Sequence, residues 1–195
     1  MASTAANSGI DIAARALILI GAEPITSFSQ DNNEALVASN LYEDVVRTSL
    51  CASRWRFATN QSVLNKLTDA PTGRLDSAHQ LPNDILMLHA VTVADNLIEY
   101  QVYGDKVYSN SSASDSLVAD YTYRATEENF PSYFTLAVEY SLASVFAVSI
   151  ARDEALANLF ETKSARLMQQ AKTLDSQQQT TRRLTTSRFI SERRG

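Results

Sequence analysis

The fold turns on residues 133–151, YFTLAVEYSLASVFAVSIA. On a helix this run is apolar on nearly every face, and it is just long enough to cross a bilayer. It also holds Glu139 and is rich in serine and alanine. An internal carboxylate and small side chains suit a helix packed against other helices, not one facing lipid. A helix that is hydrophobic all round belongs at the centre of a core. The remaining elements are therefore expected to wrap this segment, and no membrane association is expected.

Downstream, Arg152-Asp153 breaks the helix. A further helix over 153–175 carries Leu156, Phe160, Leu167, Ala171 and Leu174 at spacings compatible with one stripe. Upstream, Pro131 after EENF suits a first helical turn. Two more helices are predicted near the start, over about 8–20 and 31–52. The first places Ile10, Ala13, Ala14 and Leu17 on one face, with Gly21 as the glycine after its last turn and Pro24 as a stop. The second begins with Asp31 as N-cap and Glu34 three residues on, and aligns Ala38, Leu41, Tyr42 and Val45.

Between these helical pairs the period falls to two. In RWRFATNQSVLNKL (54–67), an extended chain puts Trp55 and Phe57 on one face and Arg54 and Arg56 on the other. DAPTG (69–73) is a turn, LPNDILMLHAVTV (81–93) a strand after a proline, and NSSASDS (110–116) a polar loop. LIEYQVYGDKVYS (97–109) is a hairpin around Gly104-Asp105, with Ile98, Tyr100 and Val102 alternating before it. LVADYTYRA (117–125) aligns Leu117, Ala119, Tyr121 and Tyr123. The order helix, helix, strands over about 55–124, helix, helix predicts an α+β fold, mainly α. It is a helical bundle with an inserted small antiparallel sheet. One domain over 1–175 and an extended C-terminal arm over 176–195 are expected. Tyr42, Trp55, Phe57 and Phe134 are the expected core anchors. Trp55 and Phe57, interleaved with arginines, also fit stacking on single-stranded nucleic acid, but two aromatics on one strand face more often anchor a core.

Composition excludes much else. With a single cysteine, Cys51, neither a disulfide framework nor a cysteine-rich metal site can form. MASTAANSGIDIAARALILIG lacks a basic leader and its apolar run is broken by Arg15, so no secretory signal is expected. The five glycines form no phosphate-cradling loop, and no G-x-S-x-G elbow occurs. His79 and His89 have no ligand partners at metal-binding spacing, and Cys51 ends an apolar helix as a buried thiol. Glu127-Glu128 precede a helix, where the dipole favours negative charge. No enzyme activity, cofactor or metal is expected.

The segment TTRRLTTSRFISERRG (180–195) stands apart. Residues 176–195 hold five arginines against Glu192, while the whole chain carries −5, so the first 175 residues carry −9. An acidic body does not seek phosphates. The segment has three readings: a solvated terminus, a nucleic-acid arm, or an arm that docks in a protein groove. Leu184, Phe189 and Ile190 favour the third, because apolar anchors supply affinity there while Arg182, Arg183, Arg188, Arg193 and Arg194 orient the peptide.

ALILIGAEPITSFSQDNNEALVASNLYEDVVRTSLCASRWRFAT (16–59) resembles the opening of the head-to-tail adaptors of tailed bacteriophages, the group that includes tail tubular protein A. LPNDILML (81–88), YTYRATEENFPSYF (121–134) and LAVEYSLASVFAVSI (136–150) follow in the same order. The resemblance spans about residues 8 to 175. It implies a helical bundle with an inserted sheet, and a virion protein made in the bacterial host. In the family, copies form a ring, usually of twelve, beneath the portal protein. The ring extends the DNA channel without binding the genome specifically and seats downstream tail or nozzle proteins. The C-terminal segment commonly reaches the portal. The acidic body would then line part of the lumen. The alternative from another class is a nucleic-acid-binding protein that uses its arginine-rich tail.

Overall fold

A computed structural model describes residues 6–68, 73–112 and 115–178. Four helices, α1 (Gly9–Leu19), α2 (Asn33–Cys51), α3 (Ser132–Phe146) and α4 (Glu154–Gln177), form a bundle. The fold is α+β and mainly helical, with the strands inserted between α2 and α3. Helix α3 packs on α1, α2 and α4. Its Phe134, Ala137, Val138, Leu142, Ala143 and Phe146 are fully buried. Leu136, in contrast, points outward, 43% exposed, so α3 is central without being enclosed. The segment Ser132–Ala151 is long and apolar enough to cross a membrane by length and composition, and half of it is buried in the protein. Its last turn, Ala147–Ala151, widens to a π-helix and stops at Arg152, whose φ of 54° is left-handed. Asp153 then caps α4 through Leu156 N–H.

Local rules account for the helix ends. After α1, Gly21 N–H donates to Ile18 C=O and Ala22 N–H to Leu17 C=O, with Gly21 at φ 76°. This double closure needs a left-handed residue, which glycine adopts without a Cβ penalty. The buried stripe of α1 is Ile12, Ala13, Ala16 and Leu17. That corrects the expected one, since Ile10 and Ala14 are only half-buried. The cap of α2 is Asn32, not Asp31. Asn32 Oδ1 accepts from Ala35 N–H at 2.9 Å, and Glu34 falls one position too early for a capping box. On α4, Leu174 is exposed and Asp175 is buried in its place. That helix reaches Gln177, so residues 176–177, expected to open the arm, are helical.

Trp55 and Phe57 do not lie on a strand. Arg56–Ala58 is a single 3-10 turn. Ala58 N–H and the Thr59 hydroxyl both donate to Trp55 C=O, which curls the chain before the first strand. Both rings nevertheless enter the bundle core. Phe134 meets Trp55 at 5.1 Å and Phe57 at 4.9 Å between ring centroids, and Phe130 at 4.9 Å.

The inserted strands form two four-stranded antiparallel sheets where one small sheet was expected. The first has β1 (Thr59–Val63), β8 (Leu117–Tyr123), β4 (Ile85–Val93) and β5 (Asn96–Leu97) in that order. The second runs β2 (Asn65–Lys66), β3 (Ser77–Gln80), β7 (Lys106–Ser109), β6 (Tyr100–Tyr103). They share a second core of Leu64, Leu81, Val91, Val107, Leu117, Ala119 and Tyr121. Two bulges in β4 fit its nine residues to the seven of β8. The β6–β7 hairpin turns at Gly104-Asp105 with only Gly104 at positive φ, the two-residue pattern that places glycine first. A second tight hairpin joins β4 to β5 through Ala94 (φ 47°) and Asp95 (φ 64°).

Four substitutions test these assignments by denaturant unfolding. Asn32→Ala should cost about 1 kcal/mol, while Asp31→Ala stays within about 0.5 kcal/mol. Ala94→Gly should leave stability unchanged or raise it by up to about 1 kcal/mol, because alanine is strained at left-handed φ. Phe134→Ala should cost about 3–5 kcal/mol.

Candidate functional site

The base of the C-terminal segment is tied down. Asp175, buried in the last turns of α4, accepts from Arg56 N–H at 3.1 Å and from the Tyr133 hydroxyl at 2.9 Å. Arg56 Nε donates to Asp175 C=O at 3.1 Å, and Gln178 Nε2 donates to the Tyr133 oxygen at 3.3 Å. Burial, and then the Asp175 carboxylate, push the Tyr133 phenol up to about 12. One carboxylate thus joins the end of α4 to the start of α3 and to the turn that leads into the sheets.

A second polar cluster lies where the chain returns from the sheets to the bundle. Arg124 grips Glu43 with two parallel hydrogen bonds, both 3.0 Å, and reaches Glu127 at 2.6 Å. Tyr42 donates to Glu127 at 3.2 Å, and Arg47 donates to Glu43 at 2.7 Å. Arg124 also sits 5.8 Å from the Phe130 ring centre. Burial alone would raise the Glu43 carboxyl, but hydrogen bonds from Arg124 and Arg47 outweigh it and hold the group below its ordinary range. Burial alone would lower Arg124, and Glu43 and Glu127 reverse that. Tyr42 is pushed up by burial and then by Glu127. Glu127 therefore answers a cation and a phenol, whereas the sequence suggested a helix dipole alone.

The other candidates are placed as follows. Tyr42, Trp55 and Phe134 are buried, and Phe57 is half-buried against the same core. Arg54 pairs with Asp120 across the first sheet at 3.1 Å. His79 is buried on β3, where burial, helped by Lys66, lowers its pKa. His89 Nε2 lies 2.7 Å from the Thr122 hydroxyl. Cys51, expected to be buried, is half-buried at the end of α2. Among the described residues no group of three His, Cys, Asp or Glu side chains converges to hold a metal ion. Glu139 is buried on α3, 3.4 Å from Arg15 of α1, and burial raises its pKa against the pull of that arginine. Arg182, Arg183, Leu184, Arg188, Phe189, Ile190, Arg193 and Arg194 lie outside the described residues.

This architecture agrees with one comparison. The family model described as tail tubular protein matches residues 11–183. The chain belongs to the tail tubular protein family. The match takes in both polar clusters, α1 from Asp11 onward, the other three helices and both sheets, and it ends within the basic segment. The family is a structural family of bacteriophages, so the chain is a phage tail structural subunit, a component of the virion that assembles with other phage structural proteins. No curated protein matches the chain.

The Asp175 and Arg124 clusters were not foreseen. The signal for the first was an aspartate on the apolar stripe of α4, one residue after Leu174. The signal for the second was weaker, because Glu43, Arg124 and Glu127 are brought together only by the sheet insertion. Arg124→Met should cost about 2 kcal/mol near neutral pH, because it leaves Glu127 with only the Tyr42 hydroxyl and Glu43 with only Arg47. Glu43 is held low, so its contribution is present above the ordinary carboxylate range and lost as pH falls through its lowered value. The gap between wild type and Arg124→Met in urea midpoint should therefore narrow on acidification. A gap that stays constant would show that packing alone is lost.

Proposed function

We propose that this tail tubular protein is a ring-forming subunit of the head-tail connector. It sits beneath the portal, extends the DNA channel and offers a platform to downstream tail or nozzle proteins. The observation that carries this reading is the family match across the bundle and both sheets. Copies pack side by side through a heterologous interface that closes by rotation, in about twelve repeats. Exposed apolar side chains on the bundle, among them Leu136, Val148 and Leu159, support such contacts, since an isolated subunit gains nothing from wetting them.

The basic segment docks on the portal, with Phe189 and Ile190 as anchors and the arginines reaching acidic groups on the groove rim. The Asp175 cluster supports this role by giving the segment a rigid point of departure. Many weak arms acting together give high avidity. The net charge of −9 on residues 1–175 suits a lumen to which DNA does not stick.

Electron microscopy of the chain with its portal tests the ring. A closed ring coaxial with the portal is expected, and a subunit that stays monomeric in the presence of portal overturns the proposal. In portal co-sedimentation, Phe189→Ala should weaken docking more than any single arginine-to-alanine substitution. Equal losses would assign the contact to charge alone.

A further inference from the structure

At the end of the sheets away from the bundle, a cleft of about 820 Å³ opens between the two sheets. Its lining mixes the apolar side chains of Leu75, Val93, Ile98 and Tyr100 with polar ones from β6, β7 and the loop after β7, and Glu99 and Asp115 give it two carboxylates. Among the described residues no lysine or arginine lines it. Strand β6 borders it and is the outer strand of its sheet; among the described residues it is bonded only to β7, and one side of its backbone has no strand partner there. An unpaired strand edge is a template for an extended peptide.

We infer that in the unassembled subunit this cleft is filled by the chain's own residues 179–195, which add to the β6 edge. Three observations select that occupant. The first is charge: the segment brings five arginines against one glutamate to a cleft whose charged side chains are carboxylates. The second is side-chain type: TTSRFI (185–190) is rich in strand-forming residues and carries Phe189 and Ile190 for the apolar side chains of the lining. The third is reach. The Asp175–Arg56 contact holds the end of α4 beside the entry to β1. From there the cleft lies about one strand away, and the seven residues of β8 span about 24 Å. Phe189 is 11 residues beyond Gln178, which extended covers about 36 Å.

The contact is autoinhibitory. It hides the apolar anchors until a better groove competes for them, and it closes the β6 edge against pairing between subunits. It does not depend on which partner later takes the segment.

Hydrogen exchange on the full-length subunit alone, at low ionic strength, tests the inference. The variants are Phe189→Ser/Ile190→Ser and Glu99→Gln/Asp115→Asn. An effective concentration in the millimolar range makes even a weak contact well populated. Amides of residues 100–103 should therefore exchange about tenfold faster in either variant than in wild type. Exchange in α3 should stay unchanged, as should the result on dilution. The tail substitution alters nothing within residues 6–178, so misfolding cannot mimic the effect. Equal exchange at 100–103 in wild type and the tail variant overturns the inference. Protection that fades on dilution also overturns it, because the occupant is then another copy. With no portal or ring present, failure here leaves portal docking and ring formation standing, and failure of either leaves this contact standing.

Discussion

The rest of the structure depends on one aromatic junction. Phe134, in the first turn of α3, meets Trp55 and Phe57 where the chain leaves the bundle, and Phe130 where it returns. The sheet insertion is long, yet its two ends are pinned to the same buried spot. Trp55 adds a hydrogen bond from its indole nitrogen to Ser49 C=O at 2.9 Å, which fixes the ring against the end of α2. Tyr123 then reaches back from β8 to Phe57 C=O at 3.2 Å. Aromatic rings supply large buried area, and edge-to-face contacts add direction to it.

The polar clusters make sense around that junction. Arg124 ties the chain to α2 where it leaves the sheets, and Asp175 of α4 holds Arg56 where the chain enters them. Both use charge-assisted bonds to backbone or bidentate geometry, which hold orientation better than simple ion pairs do. For a structural subunit that assembles with other phage proteins, fixed orientation between bundle and sheets matters more than added stability.

Much of the fold was legible because period and punctuation agreed. The 3.6 and 2.0 patterns separated helices from strands, Gly21 and Gly104 marked turns, and the all-apolar α3 announced the centre. Misses arose where backbone bonding overrode pattern. Asn32 took the cap from Asp31 because its carbonyl, one residue later, meets the third helical N–H. Trp55 and Phe57 alternate like strand residues, yet the Thr59 hydroxyl curls the turn. The Ala94-Asp95 hairpin was invisible because neither residue is the glycine such turns favour. That two sheets form, not one, follows from the crossings at Leu64 and Ile98, whose burial depends on partners far away in sequence. Of the candidate site, the aromatic anchors could be read from residue type. The Arg124 and Asp175 clusters could not, since their members meet only after the insertion has folded.

The junction's claim to couple bundle and sheets is tested most directly by native-state hydrogen exchange across a denaturant series, read separately for α3 and β8. The account predicts that amides of both elements merge into one global opening with the same slope and midpoint. A separate opening of β8 at lower denaturant, with α3 still protected, would contradict it.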